Sequence, residues 1–181
     1  MKSKIIIIGM ICTFLIACSK MDDNDVLGGS NSGGSNNGLK SGQIEIKAYP
    51  DENKKISFYV TAKKITIDWG DGNKDEFTPN GANIEYSHEY AYQNFQTISI
   101  VTESITSISF YSYTKGTVHE LRFGKCTELK EIYCSSQNLT VLDIKNVVAF
   151  LEKLGCSRSQ LFSLDVSGAS KLKELGCSNN G

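Results

Sequence analysis

The chain has 181 residues, and its 19 lysines and arginines nearly balance its 20 aspartates and glutamates, for a formal net charge of −1. This balance gives no support for nucleic-acid binding, which usually requires a clustered basic face. Two histidines, His88 and His119, leave little material for a metal centre or for histidine-dependent catalysis. We therefore expect no nucleic-acid ligand, no metal and no cofactor.

The first 17 residues have the composition of a secretory signal peptide. Lys2 and Lys4 precede an apolar run over residues 5–17, which is too short to span a bilayer, since a spanning helix needs about 20 residues. The run ends in the sequence LIAC, whose cysteine is Cys18, and this resembles a bacterial lipobox. The resemblance implies a mature chain anchored by acyl chains on Cys18. An ordinary signal peptide with a chance cysteine is the alternative.

An acidic run and a polar, glycine-rich segment follow Cys18. Residues 19–25 read SKMDDND, which resembles the signal that sends some Gram-negative lipoproteins to the outer face of the outer membrane. A solvated start would have the same composition. Residues 27–42 are mostly Gly, Ser and Asn, so we expect a flexible tether over residues 18–42. We expect an outer-membrane protein, lipid-anchored and facing the cell exterior.

Folded sequence begins near Gln43, where apolar and polar residues start to alternate. The segments richest in β-branched and aromatic residues are 44–48, 56–60, 65–69, 84–90 and 97–101. Short strands at a spacing of about 8–12 residues predict a β-sandwich over residues 43–104.

Two motifs in this region resemble those of a PKD domain. The first is the turn WGDG at residues 69–72, and the second is His88-Glu89-Tyr90 before the last strand. The resemblance implies that Trp69 fills the core, that Asp71 caps the turn, and that His88 and Tyr90 pack at the strand corner. A calcium site on Asp68 and Asp71 and a catalytic His88 are the alternatives. No Ser-His-Asp or Cys-His arrangement is legible, so we expect no catalytic residue.

Residues 105–181 repeat with a period of 21 or 22 residues, since 156 − 134 is 22 and 177 − 156 is 21. A pattern of the form Leu-x-x-Leu-x-Leu predicts a leucine-rich-repeat solenoid of about 3.5 rungs. Two series of this pattern alternate along the chain. In one series, the copies of the pattern end at Cys134, Cys156 and Cys177; in the other, they end at Phe123, Ile144 and Val166.

The repeat resembles the leucine-rich repeats of bacterial surface lipoproteins. Asn180 fits the usual corner asparagine of that family, whereas Gln137 and Ser159 do not. We therefore expect an incomplete asparagine ladder and looser corners at those two residues. The next inward leucine would fall at about position 182, so we expect a truncated gene product or a fragment of a longer array, uncapped at Gly181.

The repeat cysteines are predicted to be buried free thiols. Cys134, Cys156 and Cys177 occupy the position that Phe110 holds in the first rung. Neighbours in a parallel ladder point the same way, whereas a disulfide or a tetrahedral zinc site needs groups that converge. A disulfide, and metal or redox chemistry, remain the alternatives.

The outward positions of the rungs provide the candidate ligand contacts. Tyr133 precedes Gly155 and Gly176 in one column, which predicts a shallow shelf for a sugar ring or an apolar side chain; an ordinary exposed tyrosine is the alternative. Val141 and Phe162 are outward and apolar on the other strand series. The flanking columns alternate in charge from rung to rung and should neutralise each other: Lys130, Glu152 and Lys173, and Glu131, Lys153 and Glu174.

These features predict a non-catalytic recognition or adhesion lipoprotein at the cell surface, mainly β in fold, that binds a protein or a polysaccharide. Two alternatives stay open. The chain would be a glycan-capture accessory of a carbohydrate uptake system, or the non-catalytic part of a longer enzyme.

Overall fold

The computed structural model describes residues 38–111 and 117–181. Within these ranges the chain forms twelve β-strands and no helix. The predicted signal peptide, the lipidation site Cys18 and most of the tether lie outside the described residues. The strands are β1 (Gln43–Ala48), β2 (Lys55–Thr61), β3 (Lys64–Asp68), β4 (Lys74–Phe77), β5 (Asn83–Glu89), β6 (Gln96–Glu103), β7 (Ser107–Ser109), β8 (Val118–Phe123), β9 (Glu131–Tyr133), β10 (Val141–Asp143), β11 (Lys153–Gly155) and β12 (Glu174–Gly176).

The strands form two six-stranded sheets. Sheet A has the order β10-β8-β1-β6-β3-β4, and sheet B has the order β12-β11-β9-β7-β2-β5. Strands of the first module pair antiparallel, whereas neighbouring rungs pair parallel. The predicted mainly-β class is confirmed, and the rungs form a β-solenoid of about three turns.

The two sheets pack face to face because the interior strands of the first module bury every second side chain. The burial pattern alternates along β1, β2, β3 and β6, as the alternation of apolar and polar residues predicts. Aromatic contacts join the layers, with ring centroids 5.6 Å apart between Phe58 and Trp69 and 4.9 Å apart between Phe77 and Tyr86. The core therefore lies between the two sheets.

The first module and the solenoid share both sheets. Strand β8 pairs antiparallel with β1 on one side and parallel with β10 on the other. In sheet B, β7 joins β2 to β9 in the same way. The boundary predicted between residues 104 and 105 falls between β6 and β7, and one hydrophobic cluster continues across it.

The predicted inward columns of the solenoid are present. Ile108, Ile132, Leu154 and Leu175 are direct neighbours across β7, β9, β11 and β12. The first three are buried, and Leu175 in the last rung is half-buried. In the other series, the residues 161–166 form no strand, although their inward side chains are buried.

At the solenoid corners, Gln137 and Ser159 form hydrogen bonds in place of the usual asparagine, and the looser corners expected there stay a prediction. The side-chain oxygen of Gln137 is the acceptor for the amides of residues 117 and 118, at 3.1 and 3.2 Å. The Ser159 hydroxyl donates to the Cys134 carbonyl at 3.4 Å, and the Asn180 side-chain amide donates to two backbone carbonyls. The oxygen of a longer side chain and the hydroxyl of a shorter one therefore reach the backbone at these corners, whereas the buried Gln137 Nε2 has no hydrogen-bond partner among the described residues.

The cysteines of the described residues are free thiols, as predicted. Cys126, Cys134 and Cys156 are buried, and Cys177 in the last rung is half-buried. Burial raises the pKa of the Cys126 thiol to about 11 and that of Cys156 to about 12, and it also raises the pKa of Cys134. These side chains pack as small apolar groups in the rungs.

Gly124 allows the start of the first module to cross the end of β8. Its amide donates to the Gln43 carbonyl at 2.8 Å, and an added Cβ would collide with the Lys40 carbonyl oxygen.

We expect Gly124→Ala to lower the free energy of unfolding by about 1–3 kcal/mol, because backbone must move to admit the methyl group. Urea unfolding measures the loss. The neighbouring exposed Lys125→Ala should change stability by less than about 0.5 kcal/mol, and equal effects of the two changes would contradict the close approach.

Candidate binding surface

One row of residues crosses the outer face of sheet B from the first module into the solenoid. Strand pairing places Tyr59, Ser109, Tyr133, Gly155 and Gly176 side by side on β2, β7, β9, β11 and β12. The predicted column of Tyr133 and two glycines is thus extended by a tyrosine from the first module. The repeat pattern could not place Tyr59 on this surface, because Tyr59 lies outside the repeats. Its outward position in β2 follows from the alternation of that strand.

Tyr133 lies against the backbone of the next rung. A Cβ built on Gly155 would be 3.3 Å from Cδ1 of the Tyr133 ring, so the glycine leaves the space that the ring occupies. The Tyr133 hydroxyl donates to Glu131 at 3.3 Å. Burial, followed by the charge of Glu131, raises the Tyr133 pKa, so the phenol keeps its proton at neutral pH. The predicted shelf therefore has an aromatic surface and a protonated hydroxyl at its rim.

Two further tyrosines extend the aromatic surface. The rings of Tyr59 and Tyr111 meet edge to face, with centroids 5.5 Å apart, and Tyr111 is 60% exposed. The Tyr59 hydroxyl donates to Glu85 at 3.1 Å. Ser109, between Tyr59 and Tyr133 in the row, is only 5% exposed. Side chains of this row therefore cover the short strand β7.

A ladder of serines runs beside the glycines. The Ser135 hydroxyl oxygen accepts a hydrogen bond from the Ser157 amide at 3.1 Å, and the Ser178 hydroxyl donates to the Ser157 hydroxyl at 3.3 Å. A hydroxyl can both donate and accept. We call the surface formed by Tyr59, Tyr111, Tyr133 and these three serines, with the glycines between them, the tyrosine–serine face.

The charges next to the tyrosine–serine face are paired, which confirms the predicted alternation along the rungs. Glu152 lies 3.6 Å from the ammonium of Lys130 and 2.6 Å from that of Lys173. Lys153 lies 3.1 Å from Glu174. Exposed pairs of this kind contribute little stability, but they leave no strong net charge to attract a charged ligand.

The other two predicted contact residues do not belong to this face. Val141 is half-buried on β10, opposite Glu120 of β8 in sheet A. Phe162 is 76% exposed. It is the repeat equivalent of Thr140, 22 residues earlier, and so belongs to the corner column before the strand position of Val141. The two side chains therefore occupy different columns and do not form one apolar strip.

The outer face of sheet A is charged and differs from the tyrosine–serine face. The ammonium of Lys47 lies 3.3 Å from Glu120, and the guanidinium of Arg122 contacts both Glu120 and Glu45. The pKa of Glu120 is lowered because the hydrogen bonds from Arg122 and Lys47 outweigh burial, which acts to raise it. The ionic groups on this face thus bind one another.

The turn at Trp69 has the geometry expected of a structural corner. Trp69 is buried, its ring is stacked on His88 at 5.0 Å, and its carbonyl accepts from the Tyr90 hydroxyl at 3.0 Å. Asp71 accepts from the Asn73 amide at 3.1 Å and lies 2.7 Å from His88 Nε2. Burial acts to raise the Asp71 pKa, but the hydrogen bonds from His88 and Asn73 lower it. Asp71 and His88 therefore stabilise the turn.

Comparisons with protein-family models, with curated proteins and with solved structures give no match. Across the described residues, no helix has the length and apolarity needed to cross a membrane. The function of the chain is therefore inferred from the chemistry of its surfaces.

Proposed function

We propose that the chain is a non-catalytic recognition protein that binds a neutral polysaccharide on the tyrosine–serine face. The observation that carries the proposal is the row formed by Tyr59, Ser109, Tyr133 and two glycines across five strands. Tyrosine offers a large apolar ring with a polar hydroxyl, and the apolar face of a sugar ring can lie on it. The serine hydroxyls can then exchange hydrogen bonds with sugar hydroxyls.

The charges around Tyr133 support an uncharged ligand and binding without turnover. Glu131 accepts a hydrogen bond from Tyr133, and Glu174 is paired with Lys153. A general acid or base needs a proton-transfer partner in the substrate within hydrogen-bonding reach, whereas these carboxylates already hold other groups. Their arrangement fits a rigid surface better than a reaction centre.

The proposal includes anchorage through Cys18 at the outer membrane, with the folded part facing the cell exterior. The LIAC sequence and the short apolar run before it support this anchorage. Lipid labelling of the exported protein tests it: the label should disappear in Cys18→Ala, and a label that persists would contradict the anchor.

The proposal also assigns the two parts of the chain to the families that their sequences resemble. The Trp69, Asp71, His88 and Tyr90 contacts support a PKD-like first module, and the 21- or 22-residue columns support leucine-rich repeats. In this proposal the first module is a spacer that shares its sheets with the binding solenoid.

Tyr133→Ala is expected to weaken polysaccharide binding by about tenfold or more, because truncating a central aromatic contact commonly costs about 2 kcal/mol. An array of neutral glycans, followed by titration of the best binder, measures the change. Gly155→Ala should give a smaller loss, since its methyl group would press on the Tyr133 ring at 3.3 Å. The control is Tyr92→Ala, which removes a 78% exposed tyrosine from the β5–β6 loop. Equal binding by Tyr133→Ala and the parent chain would refute this site.

A protein ligand is the second candidate, and the 76% exposed Phe162 is the observation that favours it. Exposed aromatic side chains commonly anchor protein interfaces. Pull-down from a cell-surface extract with the parent chain and with Phe162→Ser separates the two candidates, because loss of a partner only in Phe162→Ser would favour adhesion to protein.

A further inference from the structure

A groove lies between the edge strands of the two sheets, at the end of the sheets opposite to the solenoid. Among the described residues, β4 is the last strand of sheet A and β5 is the last strand of sheet B. The groove has a volume of about 540 Å³ and is lined by Trp69, Phe77, Ile84 and Tyr86, among others. A volume of this size is within the usual range for ligand sites.

The groove walls are inward-facing positions that the opposite sheet covers only in part. Phe77 pairs with the buried Ile65, yet it is 40% exposed. Ile84 pairs with the buried Val60, and it is 38% exposed. The apolar side chains at this end of the core therefore remain open to a ligand.

Tyr86 gives the groove a polar group without a partner. The residue is only 4% exposed, and among the described residues no group forms a hydrogen bond with its hydroxyl. Its ring contacts Phe77 at 4.9 Å, and burial raises its pKa, so the hydroxyl keeps its proton. A buried hydroxyl without a partner destabilises the folded chain, and a ligand that supplies a hydrogen bond would remove that penalty.

The rim of the groove is acidic. Asp75 and Glu85 line the groove and, within the described residues, take part in no salt bridge, whereas the neighbouring Glu76 is held by Lys64 at 2.7 Å. Glu89 lies outside the lining, further along β5 and opposite Lys55 of β2. Asp75 accepts from Trp69 Nε1 at 2.7 Å, and Glu85 accepts from the Tyr59 hydroxyl. These hydrogen bonds orient two of the carboxylates without cancelling their charge.

We propose that the groove binds an extended basic peptide, which adds a strand to the free edge of β5. An edge strand presents unpaired backbone groups that can pair with another chain. In an added strand, every second side chain points the same way, so apolar side chains would enter the groove while basic ones meet Glu85 and Glu89. Edge pairing with a second copy of the chain is disfavoured because it would bring the acidic side chains of two β5 strands together.

Trp69 provides the readout, because it is the only tryptophan of the chain and it lines the groove. The probe is a capped seven-residue peptide that alternates lysine and valine, matched in length to β5. The control peptide replaces each lysine by glutamate. We expect the lysine peptide to change Trp69 fluorescence and to bind at least about tenfold more tightly than the control at low salt, with weaker binding at high salt. Equal binding of the two peptides would overturn the proposal.

Two variants localise the peptide. A lysine peptide whose central valine is replaced by threonine brings a hydroxyl to Tyr86. Tyr86→Phe should weaken binding of this peptide by about three- to tenfold, as for a lost hydrogen bond, while the unliganded variant unfolds at the same or a higher urea concentration. Glu89→Gln should weaken binding of the lysine peptide alone. Tyr133→Ala, on the tyrosine–serine face, should leave peptide binding unchanged. Unaltered peptide binding by both Tyr86→Phe and Glu89→Gln would contradict the assignment. So would displacement of the peptide by a neutral oligosaccharide. A dimer in sedimentation that becomes stronger in Glu89→Gln would instead show that β5 pairs with a second copy of the chain.

Discussion

Phe58→Ala is expected to lower the free energy of unfolding by about 3–5 kcal/mol, the usual cost of truncating a buried phenylalanine. Phe58 is fully buried, and its ring lies 5.6 Å from Trp69, 6.3 Å from Tyr86 and 6.0 Å from Phe110. The cavity would therefore open where sheet A, sheet B and the first rung meet. Since small proteins are stable by only about 5–15 kcal/mol, this loss is a large share of the total.

The same substitution tests whether the first module and the solenoid unfold together. Calorimetry of Phe58→Ala should give a single transition, shifted to lower temperature, because both sheets continue across the junction. Tyr92→Ala is the matched aromatic truncation at an exposed site and should change stability by less than about 0.5 kcal/mol. Two transitions, with only one of them shifted by Phe58→Ala, would contradict a shared core.

Stability is expected to fall by about 4 kcal/mol between pH 8 and pH 10 because of three buried thiols. Burial raises the pKa values of Cys126, Cys134 and Cys156 above the ordinary 9.0. The folded state keeps these protons, so their contribution is complete below the unfolded pKa. As the pH rises above 9.0, the unfolded state loses protons first, and each thiol removes about 1.4 kcal/mol of stability per pH unit. The loss continues until the pH approaches the folded values, about 11 for Cys126 and about 12 for Cys156.

Urea unfolding at pH 7 and pH 10 measures this loss, and Cys156→Ala separates the thiols from tyrosine and lysine titration. The cavity cost of the substitution is present at both pH values, so the difference between them isolates the titration. Cys156→Ala should lose about 1.4 kcal/mol less than the parent chain over this interval. An identical loss in both proteins would mean that Cys156 is not a buried, protonated thiol in the folded chain.

The repeat period predicted the solenoid well because each rung follows a local rule. The 21- or 22-residue steps placed Ile132 and Leu154 in one buried column and brought Lys130 and Lys173 to opposite sides of Glu152. The same steps predicted that Tyr133 lies next to a glycine. Parallel pairing of equivalent residues turns a sequence period directly into a spatial neighbour.

Features that depend on distant pairing could not be predicted in this way. Strand β4 has the sequence KDEF and is exposed along its length, so no alternation marks it; it exists because it pairs with β3. The antiparallel pairing of β1 with β8 joins segments about 75 residues apart, and no local pattern specifies it. The pairing of β2 with β7 in the other sheet is equally distant in sequence, and it brings Tyr59 beside the solenoid residues of the candidate surface.

Solution NMR of the ¹⁵N-labelled chain, titrated with the neutral oligosaccharide that binds best on the array, locates the binding surface directly. Amide shifts should change mainly in β7, β9 and β11 and in the serine ladder at Ser135, Ser157 and Ser178. Tyr133→Ala should abolish these changes while leaving the remaining spectrum in place. Shift changes confined to the outer face of sheet A or to the groove between β4 and β5 would contradict the claim that the tyrosine–serine face is the binding surface.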